Sequence, residues 1–111
     1  MWICSKFGFF SIVEKPPGEY YVRARCEKDL EILRRAAKLG RIKIQRTELA
    51  DYGFRIVADR RQWREIAGAL FASVDYASFK STIASTPHQA DKMSVYLDFN
   101  DKLEQWQRKA Q

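Results

Sequence analysis

Gly8-Phe9-Phe10-Ser11-Ile12-Val13 is the most apolar short run in the chain, and its reading decides the fold. Aromatic and β-branched side chains in so short a stretch predict a buried strand. Extended backwards, that strand is expected from Ile3 to Val13, bent at Gly8. Lys15-Pro16-Pro17-Gly18-Glu19 then has to reverse the chain, because proline fixes φ and glycine accepts positive φ. Tyr20 to Cys26 returns as a second strand. Tyr20, Val22, Ala24 and Cys26 fall on one side of it and Tyr21, Arg23 and Arg25 on the other, so the first set is expected to face a core and the second to face out.

Working outward, Glu27 to Leu39 predicts a helix. Its acids (Glu27, Asp29, Glu31) come early and its bases (Arg34, Arg35, Lys38) late, which suits the macrodipole. Leu30, Leu33 and Ala37 form its apolar stripe, and Gly40 is placed to stop it. Ile42 and Ile44 alternate with Lys43 and Gln45 as a third strand. After the Ala50-Asp51-Tyr52-Gly53 turn, Phe54 to Ala58 is a fourth, with Phe54, Ile56 and Ala58 inward and Arg55 and Val57 outward. Asp59 and Gln62 have the spacing of a capping box. The helix they open carries Trp63, Ile66, Leu70 and Phe71 on one face. A short helix from about Ala77 to Ser85 follows. Thr86-Pro87-His88-Gln89 then predicts the start of a last helix running to about Arg108. The expected fold is α+β: an antiparallel sheet of about four strands in the order ββαββα, with one or two extra C-terminal helices. Residues 1–75 are the expected body and residues 76–111 a helical segment of the same single domain. Tyr21 to Leu33 and Phe54 to Ile66 also match in pattern at an offset of 33 residues, as a two-unit repeat would.

The opening Met1-Trp2-Ile3 and the Gly8 to Val13 block resemble the start of a family of small bacterial proteins of about this length whose function is uncharacterised. Arg23-Ala24-Arg25 with Asp29-Leu30, Asp51-Tyr52 with Phe54-Arg55-Ile56, Asp75-Tyr76 with Phe79-Lys80, and Tyr96 are further matching pieces. The resemblance covers most of the chain. It implies an independent bacterial domain and no activity, cofactor or site.

At 111 residues, 46% of them hydrophobic and 31% charged, the chain can bury one core without staples. The longest apolar run, Ala67 to Val74, falls far short of the ~20 residues that span a bilayer, and the N-terminus lacks the pattern of a secretory signal. Cys4 and Cys26 are expected several residues apart along the first two strands, too far for a disulfide. Two unpaired thiols, acting as small buried hydrophobes, fit a reducing cytoplasm.

The net charge is +6 and unevenly spread. Residues 1–64 hold 15 bases against 8 acids, and residues 65–111 hold 5 against 6. A basic body points to nucleic acid, another polyanion or an acidic protein as partner. If the helices lie on one side of the sheet, its other face gathers Tyr21, Arg23, Arg25, Lys43, Gln45 and Arg55, with Phe7 or Phe9 from the first strand. Aromatics stack on bases while guanidinium and ammonium groups neutralise phosphates. The competing expectation is a solvated face, or one covered by the last helix. Arg60, Arg61 and Arg64 at a helix N-terminus oppose the dipole, so they too are candidates for anion contact. Met93, Tyr96, Phe99, Leu103 and Trp106 make an apolar stripe on the last helix. Met93, Tyr96, Leu103 and Trp106 are therefore candidates for a protein interface, a homodimer among them, against the alternative of internal packing.

No catalytic, cofactor-binding or metal-ligating residues are assigned. His88 is the one histidine, and with Asp91 it supplies two ligands where a metal needs more. Asp51, Asp59 and Asp75 sit at turns and helix boundaries, where capping accounts for them. A non-enzymatic binding module is the expectation.

Overall fold

The run from residue 3 to 13 is two strands, not one bent strand. In the computed structural model, which describes all of residues 1–111, β1 (Trp2–Ser5) and β2 (Gly8–Glu14) pair as an antiparallel hairpin with Cys4 opposite Phe9. One serine makes the turn. Ser5 Oγ accepts from the N–H groups of Phe7 (3.2 Å) and Gly8 (3.3 Å) and donates to the Gly8 carbonyl (3.0 Å). Gly8 leaves the turn at φ +150°, a conformation side chains other than hydrogen rarely adopt.

β3 (Tyr20–Ala24), β4 (Gln45–Arg46) and β5 (Phe54–Ala58) complete an all-antiparallel sheet in the order β1-β2-β3-β5-β4. The fold is α+β as expected, with five strands because the first strand is a hairpin. The proline-glycine turn sets the β2–β3 register, Ser11 opposite Arg23 and Val13 opposite Tyr21. β4 is only two residues long. Beyond it, Thr47 N–H donates to the Gly53 carbonyl (2.8 Å) and Thr47 Oγ1 to that of Tyr52 (2.5 Å), which ties the loop ahead of β5. Ile42 and Ile44, expected in the strand, pack on the edge of the core instead.

α1 (Glu27–Ala36) and α2 (Arg60–Ala72) bury Leu30, Leu33, Ile66 and Leu70 against Phe10, Ile12, Val22, Ala24, Ile56 and Ala58 of the sheet. Those strand residues share one parity, so both helices lie on one face. α2 opens on the expected capping box: Gln62 N–H donates to Asp59 Oδ1 (2.8 Å) and Asp59 N–H to Gln62 Oε1 (2.9 Å). Asp29, 1% exposed in the first turn of α1, accepts from the Phe9 N–H at 3.4 Å and ties the hairpin to that helix. Cys26, expected inward, is the exposed N-cap of α1, because β3 ends at Ala24 and the chain turns away. The pattern match at offset 33 holds for the helices, Leu30 with Trp63 and Leu33 with Ile66. The strands correspond at 34, Val22 with Ile56 and Ala24 with Ala58. Two residues separate β3 from α1 and one separates β5 from α2, and a one-residue slip swaps the faces of a strand.

The chain divides into two units, Met1–Asp75 and Tyr76–Gln111. The second holds α3 (Phe79–Ser85), a 3-10 turn (Ala90–Lys92) and α4 (Met93–Ala110). Ser78 caps α3 by accepting from Ser81 N–H at 3.2 Å. Thr86 does not cap the last helix. Its hydroxyl donates back to the Thr82 carbonyl (2.6 Å) and closes α3, so α4 begins at Met93 rather than beside Pro87. Phe79 contacts Tyr76 and Tyr96, with ring centroids at 6.1 and 5.4 Å. No helix is long and apolar enough to cross a membrane.

Candidate nucleic-acid interface

The strand residues of the other parity form the face away from α1 and α2. The pairings put Trp2, Ser11, Arg23, Arg55 and Gln45 in one row across all five strands. Cys4 and Phe9 lie to one side of this row, and Val13, Tyr21 and Val57 to the other. Arg23 and Arg55 are therefore direct cross-strand neighbours of like charge.

Neither guanidinium is met by a carboxylate. Arg23 donates through Nη2 to Ser11 Oγ (2.7 Å) and through Nε to the Ser11 carbonyl (3.3 Å). Arg25 is exposed and donates to the Asp51 carbonyl at 2.6 Å. Tyr52 reaches over from the loop before β5, its ring 5.0 Å from the Arg23 guanidinium carbon and 4.4 Å from that of Arg25. Arg55 lies 5.3 Å from the ring of Tyr21, and its Nε is buried without a hydrogen-bond partner. A buried donor left unmet costs about 1–3 kcal/mol. The cation–π contacts return roughly 0.5–1 kcal/mol each at such partly exposed positions, so the rings hold the guanidiniums in place without satisfying them.

These groups line an open cleft of about 190 Å³, formed by Lys15, Tyr21, Arg23, Thr47, Ala50, Asp51, Tyr52 and Arg55. Lys15 joins it from just beyond β2, two residues past Val13, next to a cis Lys15–Pro16 bond. Asp51 is the one acid of the lining against three cations. No histidine, thiol or carboxylate pair is present there, so the cleft offers positive charge, N–H donors and aromatic faces. Cys4, on the same sheet face, has its thiol pKa raised by burial, which keeps it protonated and unreactive.

No protein-family model, curated protein or solved structure matches the chain.

Of the residues proposed from the sequence, the cleft brings together Tyr21, Arg23 and Arg55, with Arg25 beside them on the ring of Tyr52. Lys43 is outside it, exposed in the segment before β4. Arg60 and Arg61 begin α2, on the helix side of the sheet, and Arg60 approaches Glu14 at 3.8 Å. Glu14 belongs to that side too, and its pKa is held down first by the N–H of Gly18 and then by Tyr20. Arg34 is engaged structurally, donating to the Ile42 carbonyl at 2.9 Å. Phe9 belongs to the open face, whereas Phe7 packs on the core. On α4, Met93 and Tyr96 are half-buried, while Leu103 and Trp106 are exposed.

Sequence reasoning passed over Trp2, Lys15, Ser11 and Tyr52. Trp2 was legible in principle: with a turn at Lys6-Phe7, counting by twos places it on the arginine face. Tyr52 carried no periodic signal, since it sits in a turn and reaches the face through its loop.

Proposed function

We propose that this protein is a non-enzymatic binding module that holds a polyanion, nucleic acid foremost, on the sheet face built around Arg23 and Arg55. The observation that carries the reading is the like-charged pair. Arg23 and Arg55 stand directly opposite each other with no carboxylate between them. Like charges so placed destabilise a sheet by roughly 0.2–1 kcal/mol. An anion bridging them would turn that repulsion into two charge-assisted contacts, and Lys15 and Arg25 flank the same spot. The two unpaired thiols are in keeping with a reducing cytoplasm.

The test is binding of a labelled RNA and a labelled DNA followed by fluorescence anisotropy at two salt concentrations. Three to four phosphate contacts predict a loss of affinity of about 20- to 150-fold between roughly 50 and 200 mM salt. Lys15→Glu, at an exposed position, is expected to weaken binding without unfolding the chain. Absence of binding at low salt, or binding indifferent to salt, overturns the reading.

A second reading is a protein-interaction module that pairs with a second copy of itself through α4. It is favoured by exposure: every residue from Leu97 to the end is exposed, including Phe99, Leu103 and Trp106, which recur on one face at spacings of four and three.

A further inference from the structure

We propose, building on the polyanion reading above, that the ligand is a single-stranded nucleic acid, with a base stacked on Trp2 and its backbone lying across Arg23 and Arg55. Trp2 is 70% exposed, although it sits within a paired strand. Its one ring neighbour is Phe9, with centroids 6.3 Å apart and planes tilted by 59°, so most of the indole faces water. Burial there contributes little to folding, and a large apolar ring is left open on the face that carries Arg23 and Arg55.

The other aromatics of the face are already taken. Tyr52 is bracketed by Arg23 and Arg25, and Tyr21 lies against Arg55. Trp2, backed by Phe9, is the open platform. It stands in the same cross-strand row as Arg23, two strands away, a separation of about 10 Å. Arg23 leans along that row toward Trp2, because both of its hydrogen bonds go to Ser11, the residue paired with Trp2. A flat apolar surface and a row of cations are thus offered side by side along one line.

A duplex meets only half of this arrangement. Its phosphates can reach the arginines, but its bases are stacked inside and present no free face. An acidic peptide likewise matches the cations and leaves the indole unused. A single strand supplies both parts, a charge on every linkage and an exposed π-face on every base.

The experiment compares four probes of about 12 nucleotides, a length within the range that single-strand-binding folds cover: oligouridylate, oligothymidylate, an abasic strand of equal charge, and a duplex. Binding is read by anisotropy for the wild-type protein, Trp2→Ala and Trp2→Phe. The base-bearing single strands are expected to bind more tightly than the abasic strand and the duplex. Trp2→Ala is expected to weaken them by about 5- to 140-fold, the stacking range of 1–3 kcal/mol per base converted at 1.4 kcal/mol per tenfold. Trp2→Phe should recover part of the loss, and the abasic strand should not respond to either change. Uridylate against thymidylate separates RNA from DNA as the source of the strand. Equal affinity for the abasic and base-bearing strands, with no effect of Trp2→Ala, overturns base stacking while leaving salt-dependent polyanion binding in place. Failure of every probe to bind at low salt overturns both proposals.

Discussion

Replacing Gly8 by alanine tests whether the β1–β2 hairpin is locked to α1 as described. Gly8 stands at φ +150°, and a Cβ there would be driven into the carboxyl group and Cβ of Asp29. Asp29 cannot swing clear. It is 1% exposed, and its carboxylate accepts from the Phe9 N–H. The backbone conformation alone costs a side chain about 1–3 kcal/mol, and overpacking of a filled site adds about 1–3 kcal/mol. The sum, about 2–6 kcal/mol, is a large part of the 5–15 kcal/mol that holds a typical domain together.

Two other glycines serve as internal standards. Gly18 is also at positive φ, +89°, but the nearest atom to an added Cβ is Arg60 Nε at 3.9 Å. Gly18→Ala therefore carries the conformational cost without the collision. Gly68, exposed inside α2, has nothing within 4 Å, so Gly68→Ala should stabilise by about 0.4–1 kcal/mol. Urea unfolding followed by far-ultraviolet circular dichroism should rank the three as Gly68→Ala above wild type, Gly18→Ala below it, and Gly8→Ala lowest by at least about 1 kcal/mol. If Gly8→Ala is no less stable than Gly18→Ala, the close packing of the hairpin on Asp29 is refuted. The placement of Trp2 and Phe9, which that packing fixes, then loses its support.

Two further outcomes follow. Lys6 Nζ donates to Asp75 Oδ2 at 2.7 Å, and this bond is the main cause of a lowered Asp75 pKa. A carboxyl group lowered by folding lends stability above its unfolded pKa of about 3.9 and loses it as pH falls through the folded value. Lys6→Met should return the Asp75 midpoint, read by NMR, toward the ordinary value, and an unchanged midpoint refutes the assignment. If α4 pairs with a second copy, light scattering should report a dimer that Leu103→Glu with Trp106→Glu converts to a monomer, whereas a wild-type monomer at the highest attainable concentration refutes self-pairing.

What was legible in the sequence was mostly local or periodic. Phe54 to Ala58 and the Asp59–Gln62 box read correctly because alternation and capping act over a few residues. The β2–β3 register was legible for the same reason, since the proline-glycine turn sets it. The hairpin at Lys6-Phe7 was not, because the two residues at its tip carry no turn signal and Gly8 alone signals only a bend; the reversal is made by the serine hydroxyl, which collects both N–H groups. Thr86 shows the opposite failure: Thr-Pro-x-Gln is a sound helix start, but its hydroxyl found an earlier carbonyl at Thr82. Cys26 and the strands of the offset-33 match went astray over single residues in short connections, where one residue reverses which side a strand residue faces. On the candidate site, Arg23, Arg55 and Tyr21 followed from alternation alone. Lys43 did not, because β4 begins only at Gln45 and Lys43 lies in the segment before it. Arg60 and Arg61 did not, because proximity in sequence to β5 puts them on a helix that packs on the other face.

The bonding of the arginines argues for a ligand more strongly than their charge does. Of the five N–H donors of a guanidinium, Arg23 spends two, both on Ser11, and three remain. Arg55 donates to no group in the chain, with its Nε buried and its plane beside Tyr21. Where the chain neutralises a cation it uses a carboxylate, as for Arg108 with Glu104 at 2.8 Å and Lys6 with Asp75. Instead the chain fixes the positions of Arg23 and Arg55 through a hydroxyl, a carbonyl and aromatic rings, none of which cancels their charge. That combination, orientation secured and charge left standing, lowers the entropy an incoming anion must overcome without satisfying the group it will meet. An arginine pair that served only solubility would need no such restraint, because a mobile guanidinium in water is as soluble as a fixed one.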